Sequence, residues 1–173
     1  RSELPEFLDK LDNYEGEPET RLALTLLILT FLRPGEVRGA RWEEFERDKK
    51  LWRVPAERMK MKDEHLVPLS QQVITLLDEL EPITGRSELL FPNRNRPSQP
   101  MSENTMTYAL YRMGYKSRAT VHGFRATAST ILNEEGFDAD VIERQLAHVE
   151  RNKVRAAYPV SYTHLRAHET EAY

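Results

Sequence analysis

The chain has 173 residues, with 25 Lys and Arg against 28 Asp and Glu, for a formal net charge of −3. That length supports one ordinary domain with a real core and is short for two. A 39% hydrophobic, 31% charged composition excludes a disordered segment, and the absence of cysteine excludes a disulfide framework or a thiolate metal site. The longest apolar run, "LALTLLILTFL", falls well short of the roughly 20 residues that span a bilayer. The opening "RSELPEFLDKLDNYEG" shows no charged-then-apolar leader, so the expected compartment is the cytoplasm, with no membrane partner. Average charge argues weakly against a whole-surface nucleic-acid binder. Locally the balance differs: "RPGEVRGAR", "RNRPSQP", "YRMGYKSRATVHGFR" and "HVERNKVR" concentrate positive charge, as solvated helix faces also would.

In chain order, "SELPEFLDKLDNY" predicts a helix capped by Ser2, with Leu4, Phe7, Leu8 and Leu11 on one face. "EPETRLALTLLILTFL" is apolar nearly all round in its second half and predicts a central helix. Pro34 suits the first turn of another helix, which leaves Arg33 at the bend between the two. "LWRVP" and "HLVPL" read as strands, with "AERMKMKDE" connecting them as a hairpin. A helix at "SQQVITLLDEL", capped by Ser70, comes next, and "EPITGRSELLFPNRNRPSQP" reads mainly as loop. Helices near "SENTMTYALYRMG", "HGFRATASTILNEEG" and "DADVIERQLAH" follow, then a short one at "RNKVRAAY". The expected fold class is mainly α with a small antiparallel β-sheet (α+β), and no internal repeat is visible.

Several polar residues stand out, and each alone has an ordinary structural explanation. Arg33 ends a buried apolar run, where a charge is costly unless something nearby needs it. His122 and Arg125 lie three apart at a helix start, on one face near the positive helix end. His148 ends a helix, Tyr158 suits a half-buried aromatic, and Lys60 suits a solvated hairpin lysine.

Their order is more specific. Arg, hairpin Lys, His-x-x-Arg, His and then Tyr about ten residues later resembles the tyrosine recombinase, or phage integrase, family. The likeness is strongest to integrases of phage satellites and genomic islands, and rests on "TFLRPGEVRGARW", "VPAERMKMKDEHLVPLS", "VHGFRATAST" and "LAHVERNKVRAAY". It covers residues 2 to 158 and implies the tyrosine recombinase catalytic-domain fold. The resemblance places the first catalytic arginine at Arg33, buttressed by Glu36. It places the hairpin lysine at Lys60, with Lys62 as the competing register, and the His-x-x-Arg pair at His122 and Arg125. The later histidine falls at His148 and the nucleophile at Tyr158.

The implied chemistry asks for these residue types. Phosphodiester cleavage passes through a five-coordinate phosphorus whose equatorial oxygens gain negative charge, and two arginines offer planar forks that keep their protons. A tyrosine with a free pKa near 10 needs neighbours that take its proton, a role open to His122 and His148. A hairpin lysine can protonate the leaving 5′ oxygen. The 3′-phosphotyrosyl intermediate stores the bond energy, so neither cofactor nor metal is expected. The sequence shows no Walker loop and no convincing acidic metal cluster.

The resemblance further implies double-stranded DNA attachment sites and other integrase protomers as partners, assembled as a tetramer in the synaptic complex, with accessory DNA-bending proteins. Residues 1–158 are expected to be the catalytic domain of a longer integrase from a prophage or other mobile element. The tail 159–173, "PVSYTHLRAHETEAY", departs from the family pattern and resembles a translated cloning or sequencing adapter. The competing expectations are a DNA-binding fragment without catalysis, a type IB topoisomerase-like relaxing enzyme, and a helical interaction domain that binds no DNA.

Overall fold

The computed structural model describes residues 2–60 and 62–147. Seven α-helices and three strands occur among them: α1 (Leu4–Asp12), α2 (Pro18–Thr30), α3 (Pro34–Arg38), β1 (Phe45–Glu46), β2 (Leu51–Val54), β3 (His65–Pro68), α4 (Gln71–Thr84), α5 (Thr105–Arg112), α6 (Gly123–Glu134) and α7 (Ala139–Gln145). The strands form one antiparallel sheet in the order β1-β2-β3, so the architecture is mainly α with a small antiparallel sheet. The expected helix at "RNKVRAAY", with His148 and Tyr158, and the tail 159–173 lie outside the described residues.

α2 is the centre of the core. Leu22, Ala23, Leu24, Leu26 and Leu27 are almost fully buried, because this helix is apolar on nearly every side and packs against α1, α3, α4 and α5. Each such leucine contributes about 1.5–3 kcal/mol relative to an exposed one. The helix stops at Phe31, whose backbone turns left-handed (φ 56°) while its N–H donates to the Leu27 carbonyl at 2.9 Å. Arg33 is then extended (φ −72°, ψ 147°), as the residue before a proline must be, and Pro34 opens α3 where no N–H is needed.

Three sequence expectations need correction. Ser2 does not cap α1: Glu3 is the N-cap residue and makes no side-chain cap bond, while a proline in the first turn supplies the helical φ. The sheet has a third strand, β1, too short for an alternation to show; Phe45 pairs with Trp52 and their rings stack at 4.6 Å. α4 runs through Pro82 to Thr84, into the segment read as loop. Tertiary bonds hold that last turn: Thr84 Oγ1 donates to the Leu90 carbonyl at 2.8 Å, and Trp42 Nε1 donates to the Thr84 carbonyl at 3.2 Å. Ser70 caps α4 as expected, accepting the Val73 N–H at 3.4 Å.

A buried charge cluster joins the sheet to α3. Glu44 accepts from Trp52 Nε1 at 2.9 Å and from Arg58 Nη1 at 2.6 Å. Arg58 also donates to the backbone carbonyls of Glu36 and Gly39, which closes the C-terminal end of α3. Burial works against both charges, pushing the Glu44 carboxyl up and the Arg58 guanidinium down, and each partner opposes the shift of the other. Removing one member of such a pair strands the other. Glu44→Leu is therefore expected to cost about 3–5 kcal/mol, read as a lower urea midpoint at unchanged slope. Glu44→Leu with Arg58→Met should recover much of that loss, and a single variant as stable as the parent would refute the pairing.

Candidate active site

The site is built around the bend between α2 and α3. Glu36, nearly fully buried, grips Arg33 at both ends: the Arg33 backbone N–H donates to Oε2 at 2.8 Å and Nη1 donates to Oε1 at 2.8 Å. Both bonds are charge-assisted, which fixes the guanidinium on the first turn of α3. The remaining edge of Arg33 is partly exposed, with the side chain 23% accessible.

Arg125 reaches the same bend from α6. Its Nη1 donates to the Phe31 carbonyl and its Nη2 to the Leu146 carbonyl, so the guanidinium lies between the C-terminal ends of α2 and α7. Those ends carry the negative poles of their helices, which favours a buried cation there. Burial still pushes the Arg125 guanidinium below its ordinary value, reinforced by the nearby Arg33 charge and opposed by Glu36. The fold thus brings together two arginines whose sequence positions are 33 and 125, with Glu36 as their shared counter-charge.

The other expected site residues fall differently. His122 is the N-cap residue of α6 but makes no side-chain cap bond; Thr120 Oγ1 accepts the Gly123 N–H at 3.0 Å instead. This leaves the His122 side chain exposed beside the buried Arg125. Lys60 and Lys62 are both exposed on the connection between β2 and β3, where Lys62 adopts a left-handed backbone (φ 61°). His148 and Tyr158 lie outside the described residues; near the end of the described chain, Gln145 Nε2 donates to the Thr30 carbonyl at 2.9 Å, and the Leu146 carbonyl accepts from Arg125. Among the described residues no group of three or more His, Cys, Asp or Glu is placed to hold a metal ion. No helix among them is long and apolar enough to cross a membrane.

Sequence reasoning missed one neighbour of the arginine pair. His65, the first residue of β3, was read only as part of a strand. Its ring is largely buried, and burial pushes its pKa below the ordinary 6.5; Arg125 and Arg33 push the same way, while Glu36 and the Gln145 backbone oppose. The one available signal was a histidine opening an otherwise apolar strand, "HLVPL".

The Phage integrase family model matches residues 1–168, a span that runs past Tyr158. The integrase of Enterobacteria phage P4 is 49% identical over 179 residues, covering 95% of this chain and 41% of that protein. The prophage integrase IntA of Escherichia coli (strain K12) is 42% identical over 156 residues, covering 90% of this chain and 38% of its own length. Among solved structures, the XerH site-specific recombinase bound to difH substrate superposes with a TM-score of 0.71 at 18% identity, over 99% of this chain and 53% of that one. A lambda integrase tetramer bound to a Holliday junction gives 0.65 at 20% identity, over 86% and 46% of the two chains. The chain therefore has the fold of a tyrosine recombinase catalytic domain and belongs to the phage integrase family. It spans less than half the length of the curated integrases named here.

The depressed His65 pKa carries a sign. Above about pH 6.5 the ring is neutral in both folded and unfolded chains and contributes no pH dependence. Below it the unfolded chain takes up a proton that the folded chain resists, so stability falls until the folded pKa is passed. Thermal unfolding followed across pH 7 to 5 should show this loss, and His65→Gln should reduce it; an equal slope in both proteins would exclude the ring as its source.

Proposed function

We propose that this chain is the catalytic part of an integrase that recombines a mobile element at specific DNA sites, by tyrosine-mediated strand cleavage and rejoining. The observation that carries the reading is the convergence of Arg33 and Arg125 on one bend, where the Phe31 carbonyl accepts from Arg125 two residues before Arg33. Two guanidiniums anchored side by side fit the non-bridging oxygens of one phosphodiester. Family membership and the recombinase fold support the same chemistry.

In this reading the Tyr158 oxygen attacks the scissile phosphorus, and its proton passes to His122 or His148. The P–O5′ bond breaks as the new P–O bond to tyrosine forms. Lys60, rather than Lys62, gives the leaving 5′ oxygen its proton. Arg33 and Arg125 stabilise the charge that builds on the equatorial oxygens, and Glu36 holds Arg33 in place. The products are a 3′-phosphotyrosyl enzyme and a free 5′ hydroxyl; attack by a second strand's 5′ hydroxyl reverses the step and returns the tyrosine. No cofactor or metal enters this sequence.

The partners proposed are duplex attachment sites and further copies of the protein, in keeping with relatives described as bound to difH substrate and as a tetramer on a Holliday junction. Accessory DNA-bending proteins and a cytoplasmic location belong to the same proposal. Phosphate contacts should dominate binding, so affinity should fall steeply with salt.

The test is covalent capture on a nicked suicide duplex carrying the element's attachment sequence, in chelator, resolved on a denaturing gel. A DNA–protein band is expected, lost in Tyr158→Phe while DNA retention persists. Arg33→Ala and Arg125→Ala should each slow capture about 10²–10³-fold, the loss typical for one oxyanion donor. An arginine variant cleaving at the parent rate would overturn the site assignment, and no band from the parent would leave only DNA binding.

A further inference from the structure

Lys60 lies on a connection that is pinned on both sides of it. After β2 the chain makes a single 3₁₀ turn at Ala56–Arg58, in which the Arg58 N–H donates to the Pro55 carbonyl at 3.0 Å. Met59 is then buried in the core cluster, while Lys60 beside it is exposed. Beyond Lys60 the Lys62 N–H returns to the Met59 carbonyl at 3.1 Å. The lysine is a flexible stem, but the backbone it starts from is held.

What ties this connection to the rest of the site is Arg58, two residues before Lys60. Its Nη1 donates to the Glu44 carboxylate at 2.6 and 2.9 Å and to the Gly39 carbonyl, and its Nη2 donates to the Glu36 carbonyl. Pairing with Glu44 explains the charge but requires neither carbonyl. Those two carbonyls lie at the C-terminal end of α3, where a helix leaves acceptors without partners of its own. A planar fork can reach them while it keeps its carboxylate, which a single ammonium cannot do as well. Glu36 is the link to the arginine pair: its carbonyl accepts from Arg58, and its carboxylate accepts twice from Arg33, at 2.8 Å each. Lys60 and Arg33 are thus tied, from opposite ends, to one helix of five residues.

We propose that Arg58 is a positioning residue of strand cleavage: by clamping the connection between β2 and β3 to the C-terminal end of α3, it sets where Lys60 stands relative to the phosphate at Arg33. This rests on the function proposed above. The proton must reach the 5′ oxygen as the P–O5′ bond breaks, so the acid and the phosphate clamp need a common frame. Arg33 keeps both of its bonds to the Glu36 carboxylate when Arg58 is replaced, so the loss falls on proton delivery rather than on phosphate binding.

The test uses the full chain and the pair Glu44→Leu with Arg58→Met, which leaves neither buried charge stranded. Covalent capture is measured on two nicked suicide duplexes, identical except that sulfur replaces the bridging 5′ oxygen at the scissile phosphate in one. A thiolate leaves without being given a proton, so that duplex does not need the acid. On the oxygen duplex the paired variant should slow capture at least tenfold, with the DNA concentration for half-maximal capture unchanged, and Lys60→Met should slow it about 10²-fold or more. On the sulfur duplex both should capture within about threefold of the parent. A paired variant that matches the parent on the oxygen duplex, or that loses as much on sulfur as on oxygen, overturns the proposal. Amide exchange followed by NMR without DNA gives a second readout: the Lys62 N–H should exchange at least tenfold faster in the paired variant while buried amides of α2 keep their protection. Equal exchange at Lys62 also overturns it. If the parent captures neither duplex, the cleavage reading fails and the role of Lys60 with it, and the exchange rates still decide whether Arg58 holds the connection to α3.

Discussion

The buried guanidinium of Arg125 is the contact on which the site's geometry depends. A cation this deep needs acceptors, and the fold supplies backbone carbonyls from the C-terminal ends of two helices, Phe31 after α2 and Leu146 after α7. Those carbonyls have no partner within their own helices, and an arginine fork between them satisfies both while meeting two negative poles. The arrangement also explains the left-handed Phe31. A non-glycine residue there costs about 1–2 kcal/mol, and the turn it makes leaves the Phe31 carbonyl to accept from Arg125 while Arg33 begins α3. One side chain therefore locks the bend, the end of α7 and the start of the segment toward His148.

A second chain of charges braces the bend from the sheet side. Trp52 on β2 donates to Glu44, Glu44 pairs with Arg58, and Arg58 donates to the Glu36 carbonyl, while the Glu36 carboxylate holds Arg33. Each link is largely buried, so each charge is costly alone and satisfied by the next. The consequence is rigidity: Arg33 cannot swing without disturbing α3, whose C-terminal carbonyls Arg58 holds. Preorganised donors are what transition-state stabilisation requires, because no reorganisation is then left for the moment of reaction.

Much of this was legible in the residues and some was not. The central helix could be read from its all-round apolar character, and Arg33 at the bend from Pro34, because both signals are local. The strands of "LWRVP" and "HLVPL" were visible for the same reason. β1 was not, since two residues carry no period, and the last turn of α4 was hidden by Pro82, whose turn is held by Thr84 and Trp42 from outside the helix. In the site, the pattern of types and order pointed to Arg33, Glu36 and Arg125, but not to how Arg125 is held, because backbone carbonyls leave no mark in a sequence. His65 escaped for a related reason: its nearness to the arginine pair comes from segments far apart in the chain.

The net charge of −3 can also be reconciled with the phosphate site proposed at the arginine pair. Among the described residues several arginines outside the site are tied to carboxylates: Arg21 to Glu79, Arg47 to Asp78 and Glu81, Arg53 to Glu46 and Glu64, and Arg118 to Glu3. Such exposed pairs are worth at most about 1 kcal/mol and weaken with salt. A phosphate approaching those arginines must compete with the acids that hold them. Arg125 is held among the described residues by backbone carbonyls, those of Phe31 and Leu146. Arg33 is paired with the buried Glu36, whose charge also acts on Arg125. The local arrangement of these guanidiniums, rather than the average over the chain, is what an anion at the bend would meet.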